Sequence, residues 1–319
     1  MQKYFSVFLL FTFLVSCKKE SKLSIDVSNI SVDFKVNRFD VDFYNSPESS
    51  LNDIKLKYPR LFPVNIHDSV WFNKRINKDE QELFVEVQKE YSNIDELKNQ
   101  LTSLFKHIKY YNPKFHTPNV TTVLSNVDYD YKIIYTPKDL LISLDVYLGT
   151  NHPFYTDFPN YVKQNYHKNH IIVDVANAII DKQIPLSSER TFINKMIYEG
   201  KKMYLLDAYL PIISDQEKMG YLNEKINWTK VNESQVWKYF IEKDLLYSTD
   251  TKLNKRFLES APFSKFYTAT DNSSPGKIGV WIGWQIVRSY MQKNDVSLQQ
   301  LLQTNAEEIF KKSKYKPKK

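Results

Sequence analysis

The sequence predicts an α+β fold, with a small sheet-bearing first half packed on a mostly helical second half. Two observations carry this expectation. Apolar residues between Ile25 and Leu148 recur largely at a spacing of two, the strand period, around one stretch of helical period. From about Tyr161 onward the spacing of three and four dominates. The 319 residues are enough to bury a sizeable core, as one large domain or two intimate ones.

The chain opens with Lys3 and then a run, residues 5–15, that is apolar except for Ser6 and Thr12. This run is shorter than the roughly 20 residues needed to span a bilayer and suits the apolar region of a secretory leader. It ends in Leu14-Val15-Ser16-Cys17, which resembles the bacterial lipobox, where the leader is cut before a cysteine that then carries the acyl chains. Cys17 is the single cysteine of the sequence. The expected organisation is a removed leader (1–16), a lipidated cysteine and linker (17–24), a globular body (25–310) and a basic tail (311–319). The expected location is the cell envelope, with the membrane held through lipid on Cys17. Several acyl chains anchor durably, because each buried methylene contributes about 0.8 kcal/mol. With its cysteine lipidated the body has no disulfide, so packing must stabilise it.

Charge excludes one class of partner. The chain carries 44 basic and 37 acidic residues, but six lysines lie in the tail and Lys3 lies in the leader, so residues 17–310 balance at 37 against 37. A basic nucleic-acid-binding domain is therefore not expected. The tail reads as a solvated, disordered end, with contact to anionic lipid or a partner as the alternative.

Within the body, Ile25 and Val27, then Val32, Phe34 and Val36, then Phe39, Val41 and Phe43 alternate as strands do. Pro59 and Pro63 mark a loop. Residues 78–110 are helical, with Ser92 and Asn93 separating two helices. Pro113 and Pro118 end this part, giving a possible sub-boundary near 112–119. Residues 120–127, 131–135 and 140–148 read as three short strands with the spacing of a meander. Residues 149–159 form a turn-rich loop before the helices.

One helix stands out. Pro185, Ser187 as N-cap and Glu189 in the first turn open it, and Pro211 closes it. Phe192, Met196, Met203, Leu206 and Leu210 form its apolar stripe, and Glu199 fills the gap in that row. Its carboxylate should point toward the core or a cleft, where it needs partners or a raised pKa. A catalytic acid or base fits, as does a structural carboxylate paired with a neighbour, which the stripe alone favours. Gly200 costs about 1 kcal/mol against alanine in a helix interior, so its expected use is a close backbone approach. Gly279 and Gly283, four apart in an apolar helix opened by Ser273 or Ser274 with Pro275, supply a flat face that could meet it. A nucleotide loop is a poor match there, because no strand precedes and no Ser or Thr follows Gly276-Lys277. His167, His170 and Asp174 have metal-ligand spacing, but N-Y-H-K-N-H reads as a polar surface loop or helix end. No metal or cofactor is expected. The 22 tyrosines and 20 phenylalanines suit aromatic packing, or a glycan-binding face.

M-I-Y-E-G-K-K-M-Y (196–204), N-E-S-Q-V-W-K-Y-F (232–240), A-P-F-S-K-F (261–266), S-P-G-K-I-G-V-W-I-G-W-Q-I-V-R-S-Y-M (274–291) and S-K-Y-K-P (313–317) together resemble the gliding motility lipoprotein family GldB, over essentially the whole chain. The resemblance implies an envelope lipoprotein required for surface gliding, with partners in the gliding or secretion machinery. The helix at 196–204 also resembles the H-E-x-x-H helix of zinc peptidases, in which two histidines bind the metal and the glutamate activates water. That second resemblance places Tyr198 and Lys202 at the histidine positions, Glu199 at the glutamate and Glu233 at the third ligand. It implies a degenerate, metal-free, peptidase-like scaffold in which Lys201 or Lys202 stands in for the cation, with no catalytic residue. Two rivals accompany this reading: a zinc-independent hydrolase using Glu199 and Glu233 as a pair, and a glycan- or cell-wall-binding lipoprotein. The discriminator for the first is whether the two carboxylates converge in an open cleft.

Overall fold

The computed structural model describes residues 23–185 and 190–317. Cys17 and the leader, and the helix-start residues Ser187 and Glu189, lie outside the described residues.

Strands β1 (Val36–Arg38), β2 (Asn119–Val123), β3 (Ile133–Tyr135) and β4 (Asp139–Ser143) form one sheet in the order β1-β2-β4-β3. β1 pairs parallel to β2, with Val36 opposite Val120, and β2 pairs parallel to β4, with Val120 opposite Leu140. β3 pairs antiparallel to the far side of β4, with Ile133 opposite Ile142. The expected meander is therefore wrong in its connectivity. After β2 the chain turns tightly, with Asn126 and Val127 at φ of 61° and 59°. The fully buried Asp145 accepts hydrogen bonds there from the backbone of Ser125 (3.0 Å) and Val127 (2.7 Å). This turn carries the chain to the sheet edge before it returns to lay β4 in the interior, where Leu140 and Ile142 are fully buried.

The N-terminal expectation also fails in part. Only Val36–Arg38 is a strand, and Phe39–Tyr44 is a short helix. Phe39, Val41 and Phe43 satisfy a period of two, but Phe39 and Phe43 are also four apart, which places both on one helical face. Their rings stack at 5.1 Å. Phe34, outside any strand, packs edge-on against Phe105 at 5.0 Å.

The longer helices include α1 (Lys78–Glu90), α2 (Asp95–Tyr111), α3 (Ile171–Gln183), α4 (Phe192–Tyr209), α5 (Asn223–Glu242), α6 (Ile278–Lys293) and, near the end, α7 (Ala306–Ser313). The break between α1 and α2 falls where Ser92 and Asn93 predict it. The Asn93 side chain accepts from the backbone of Asp95 at 2.6 Å and so starts the second helix. A single hydrophobic cluster runs from Phe39 to Ile309, and β1 and β2 pair across residues 112–119.

α4 begins at Phe192, later than the sequence signals suggest. Thr191 gives no side-chain cap. Instead the amides of Phe192 and Ile193 donate to the carbonyls of Ser248 and Leu246, at 2.9 and 2.8 Å, which satisfies groups a helix start leaves open. α4 is buried on more than one stripe: Ile193, Ile197, Gly200, Tyr204 and Leu205 are buried as well as Met196, Met203 and Leu206. α6 crosses it so closely that a Cβ on Gly200 would collide with the carbonyl of Gly283, and one on Gly283 with the carbonyl of Met196. The close approach expected of Gly200 and Gly283 is thus present. Gly279 faces elsewhere, against the carbonyl of Phe257 and the Phe192 ring. α6 itself starts at Ile278 with Lys277 left-handed at φ 56°, so Pro275 lies in the preceding loop and not in the helix. That loop is tied down by Ser264, whose hydroxyl donates to the Pro275 carbonyl at 2.7 Å.

Beyond the glycines the same helix pair is fastened by charge. Asp207 of α4, buried, accepts from Trp284 Nε1 (2.8 Å) and from both Nε and a terminal nitrogen of Arg288 (2.7 Å each), all on α6. Lys218 adds a fourth donor at 2.9 Å.

The basic tail is not free along its described length. Lys311 and Lys312 end α7, and Tyr315 packs edge-on against Trp237 at 5.3 Å. Its hydroxyl donates to Glu233 Oε1 at 2.9 Å. An aromatic residue among the lysines gives this segment something to bury, which a purely solvated tail lacks.

Gly200→Ala and Gly283→Ala are each expected to destabilise the protein by about 1–3 kcal/mol, the cost of overpacking, although alanine is the better helix former. Urea unfolding midpoints below that of wild type would check this; a midpoint at or above it would contradict the contact.

Candidate functional site

Most of α3 is apolar, and its two aspartates that matter here lie seven residues apart, on one helical face: Asp174 and Asp181. That face meets the α4 residues flanking Gly200. Lys202 Nζ lies 3.0 Å from Asp181 Oδ1 and 3.5 Å from Glu199 Oε1. It also sits over the Tyr198 ring, 4.8 Å from its centroid. Lys201 turns away and donates to the carbonyls of Leu302 and Thr304 at 3.2 and 2.6 Å. Of the two lysines expected to counter Glu199, Lys202 does so.

Glu199 is less buried than the stripe predicts, with 31 % of its side chain exposed. The buried surface of α4 is centred on the Gly200 contact, so position 199 falls at its edge. Crowding around the carboxylate still raises its pKa above 4.5, opposed by Lys202. Lys202 in turn is held above its ordinary value: burial pulls it down, but Glu199 and Asp181 outweigh it. Lys277, at the left-handed start of α6, donates to the Met219 carbonyl at 3.0 Å. Burial lowers its pKa, with Lys132 adding to that effect and Asp174 and Glu199 opposing it.

The seam continues past Asp174. Lys132, just before β3, reaches Asp174 Oδ2 at 2.8 Å, and the Tyr147 hydroxyl donates to the same oxygen at 2.9 Å. Burial would raise the Asp174 pKa, but Lys132, His170 and Tyr147 hold it below the ordinary range. His170 is only 5 % exposed, so it is not the surface residue expected. Its Nδ1 lies 2.6 Å from Glu217 Oε1, and its Nε2 lies 3.8 Å from Asp174 Oδ1. His167 Nε2 approaches the same Glu217 oxygen at 3.6 Å. Burial keeps the His167 pKa below its usual value.

Glu233 is separate from this seam. It is buried on α5, where Trp281 Nε1 and the Tyr315 hydroxyl each donate to it at 2.9 Å. Among the described residues no hydrogen bond or ion pair joins Glu233 to Glu199, and they share no partner. The structure therefore brings Tyr198, Glu199 and Lys202 together and leaves Glu233 out.

Sequence reasoning missed Lys132, Asp181, Lys277 and Glu217. Two aspartates seven apart in the apolar run I-I-V-D-V-A-N-A-I-I-D were a readable signal for a polar stripe. Lys132, Lys277 and Glu217 arrive from distant segments and have no local signature.

Two outcomes follow from this geometry. A raised carboxyl pKa means that the folded state holds the proton more tightly than the unfolded state. The contribution of Glu199 is then fully present below about 4.5 and is lost as pH rises through its folded value. Glu199→Gln should therefore lie within about 1 kcal/mol of wild type at neutral pH, as expected for a partly exposed pair. Wild type should lose ground to the variant as pH climbs just above the ordinary carboxyl range; urea melts across that range check the sign. Tyr315→Phe leaves Glu233 buried with one donor fewer and should cost about 1–3 kcal/mol, read as a lower unfolding midpoint.

No curated protein and no solved structure matches the chain. A family model described as gliding motility protein GldB matches residues 20–317, nearly the whole length, and the chain therefore belongs to the gliding motility protein GldB family.

Proposed function

We propose that the protein is a lipid-anchored component of the cell envelope that supports gliding by binding other parts of the motility or secretion machinery, without turning over a substrate. Family membership supports the gliding role. The lipobox at Cys17 supports the anchor, and no helix among the described residues is long and apolar enough to cross a membrane. The observation that carries the non-catalytic part is the separation of the two carboxylates. Glu199 faces an ammonium group at 3.5 Å, while Glu233 is occupied by Trp281 and Tyr315. A hydrolase that uses them as an acid–base pair needs both within reach of one substrate atom. On this reading Lys202 takes the place of the metal in a peptidase-like scaffold, and the charged seam between α3 and α4 serves stability and recognition.

Deletion of the gene should stop colony spreading, and a Glu199→Gln copy that folds normally should restore it. Failure of a normally accumulating Gln variant to restore spreading would favour the hydrolytic reading instead. Cys17→Ser should leave an unprocessed precursor that takes up no palmitate analogue; normal labelling of that variant would reject the anchor.

A further inference from the structure

We propose that His167, His170 and Glu217 form a binding site for a divalent transition-metal ion of the zinc class, apart from the Tyr198–Glu199–Lys202 cluster. One nitrogen from each imidazole and one carboxylate oxygen lie within 4.8 Å of one another. Small side-chain rotations bring such a set onto one ion at bond lengths of about 2.0–2.2 Å. Two imidazoles and a carboxylate are donors that zinc accepts readily, and three protein ligands leave a further position for water or an external ligand.

Hydrogen bonding accounts for part of the cluster but not all of it. His170 Nδ1 is hydrogen-bonded to Glu217 Oε1 at 2.6 Å, and its Nε2 faces Asp174 Oδ1 at 3.8 Å. His167 has no role in that arrangement, yet its Nε2 is directed at the Glu217 oxygen already engaged by His170. A cation placed among the three uses both rings.

The backbone fixes each ligand in advance. Residue 167 is held by a bridge to Leu148. His170 closes the short 3-10 turn Lys168–His170 that leads into α3, its amide bonded to the His167 carbonyl at 2.9 Å. Glu217 sits in the short helix Asp215–Met219, its amide capped by Ser214 Oγ at 3.1 Å. Behind the ligands stands an outer shell of the kind that orients metal-bound histidines. Asp174 Oδ1 faces His170 Nε2, while Lys132 and Tyr147 hold the other oxygen of Asp174. With Asp174 on the Nε2 side, Nδ1 is the ring nitrogen turned toward Glu217 and the proposed ion. The His167 side chain is 31 % exposed, which gives the ion an entry path. A bound ion would link the start of α3 to the segment that follows α4.

The test uses the full chain extracted in detergent, prepared without an oligohistidine tag and freed of metal by a chelator. Zinc chloride titration by calorimetry should show one saturable site, and cobalt(II) should give the visible absorption of an imidazole-ligated, low-coordinate ion. His167→Ala and Glu217→Gln should each weaken zinc binding by more than about tenfold. His167→Ala, at a partly exposed position, should keep the wild-type melting temperature in the absence of metal. Absence of a saturable site and of the cobalt spectrum in wild type would overturn the proposal whatever the variants do. So would equal zinc affinity in wild type and both folded variants.

Discussion

The backbone contact between α4 and α6 at Gly200 and Gly283 is the constraint on which the rest of the helical half depends. Neither glycine can carry a side chain without displacing the other helix. The closeness this allows lets Trp284 and Arg288 of α6 reach Asp207 of α4 over short distances. A buried aspartate with four donors from three residues is satisfied, whereas the same aspartate with α6 displaced would keep Lys218 alone. Close packing and the charge network are therefore mutually dependent. The same contact sets the rotation of α4 about its axis, and so it decides that Glu199 comes to the edge of the buried surface.

That rotation shapes the seam between α3 and α4. Positive and negative groups alternate along it, from Asp181 and Lys202 through Glu199 and Lys277 to Asp174 and Lys132. Opposite neighbours hold Asp174 and Glu217 below the ordinary range against the cost of burial, whereas burial prevails at Glu199 and Lys277. Tyr198 contributes by lying under Lys202 and limiting its motion.

Sequence periodicity disclosed the long helices well, since Leu97, Leu101, Leu104, Phe105 and Ile108 can be buried together on only one face of α2. It also disclosed the meaning of Gly200, because glycine in an apolar helix has few other uses. Strand order could not be read in the same way. The position of β3 at the edge depends on Asp145 gripping a turn twenty residues earlier in the chain, a contact with no local trace. Phe39–Tyr44 was ambiguous because a residue spacing of four fits both periods. At the site, Tyr198, Glu199 and Lys202 are neighbours on one helix and were legible together. Glu233 stands outside that cluster because its partners, Trp281 and Tyr315, come from α6 and the tail.

Tyr315 has a consequence for how the chain is completed. Its bond to Glu233 spans 82 positions of the sequence, and Tyr315 is third from the end of the described residues. Until that segment has emerged and docked, the Glu233 carboxylate has one indole donor and an open side. Removal of the segment from position 314 onward would leave Glu233 with the Trp281 indole as its donor and take Tyr315, which packs there together with Phe310, off Trp237. An affinity tag or fusion partner is better spaced beyond the lysines than attached directly at this closure.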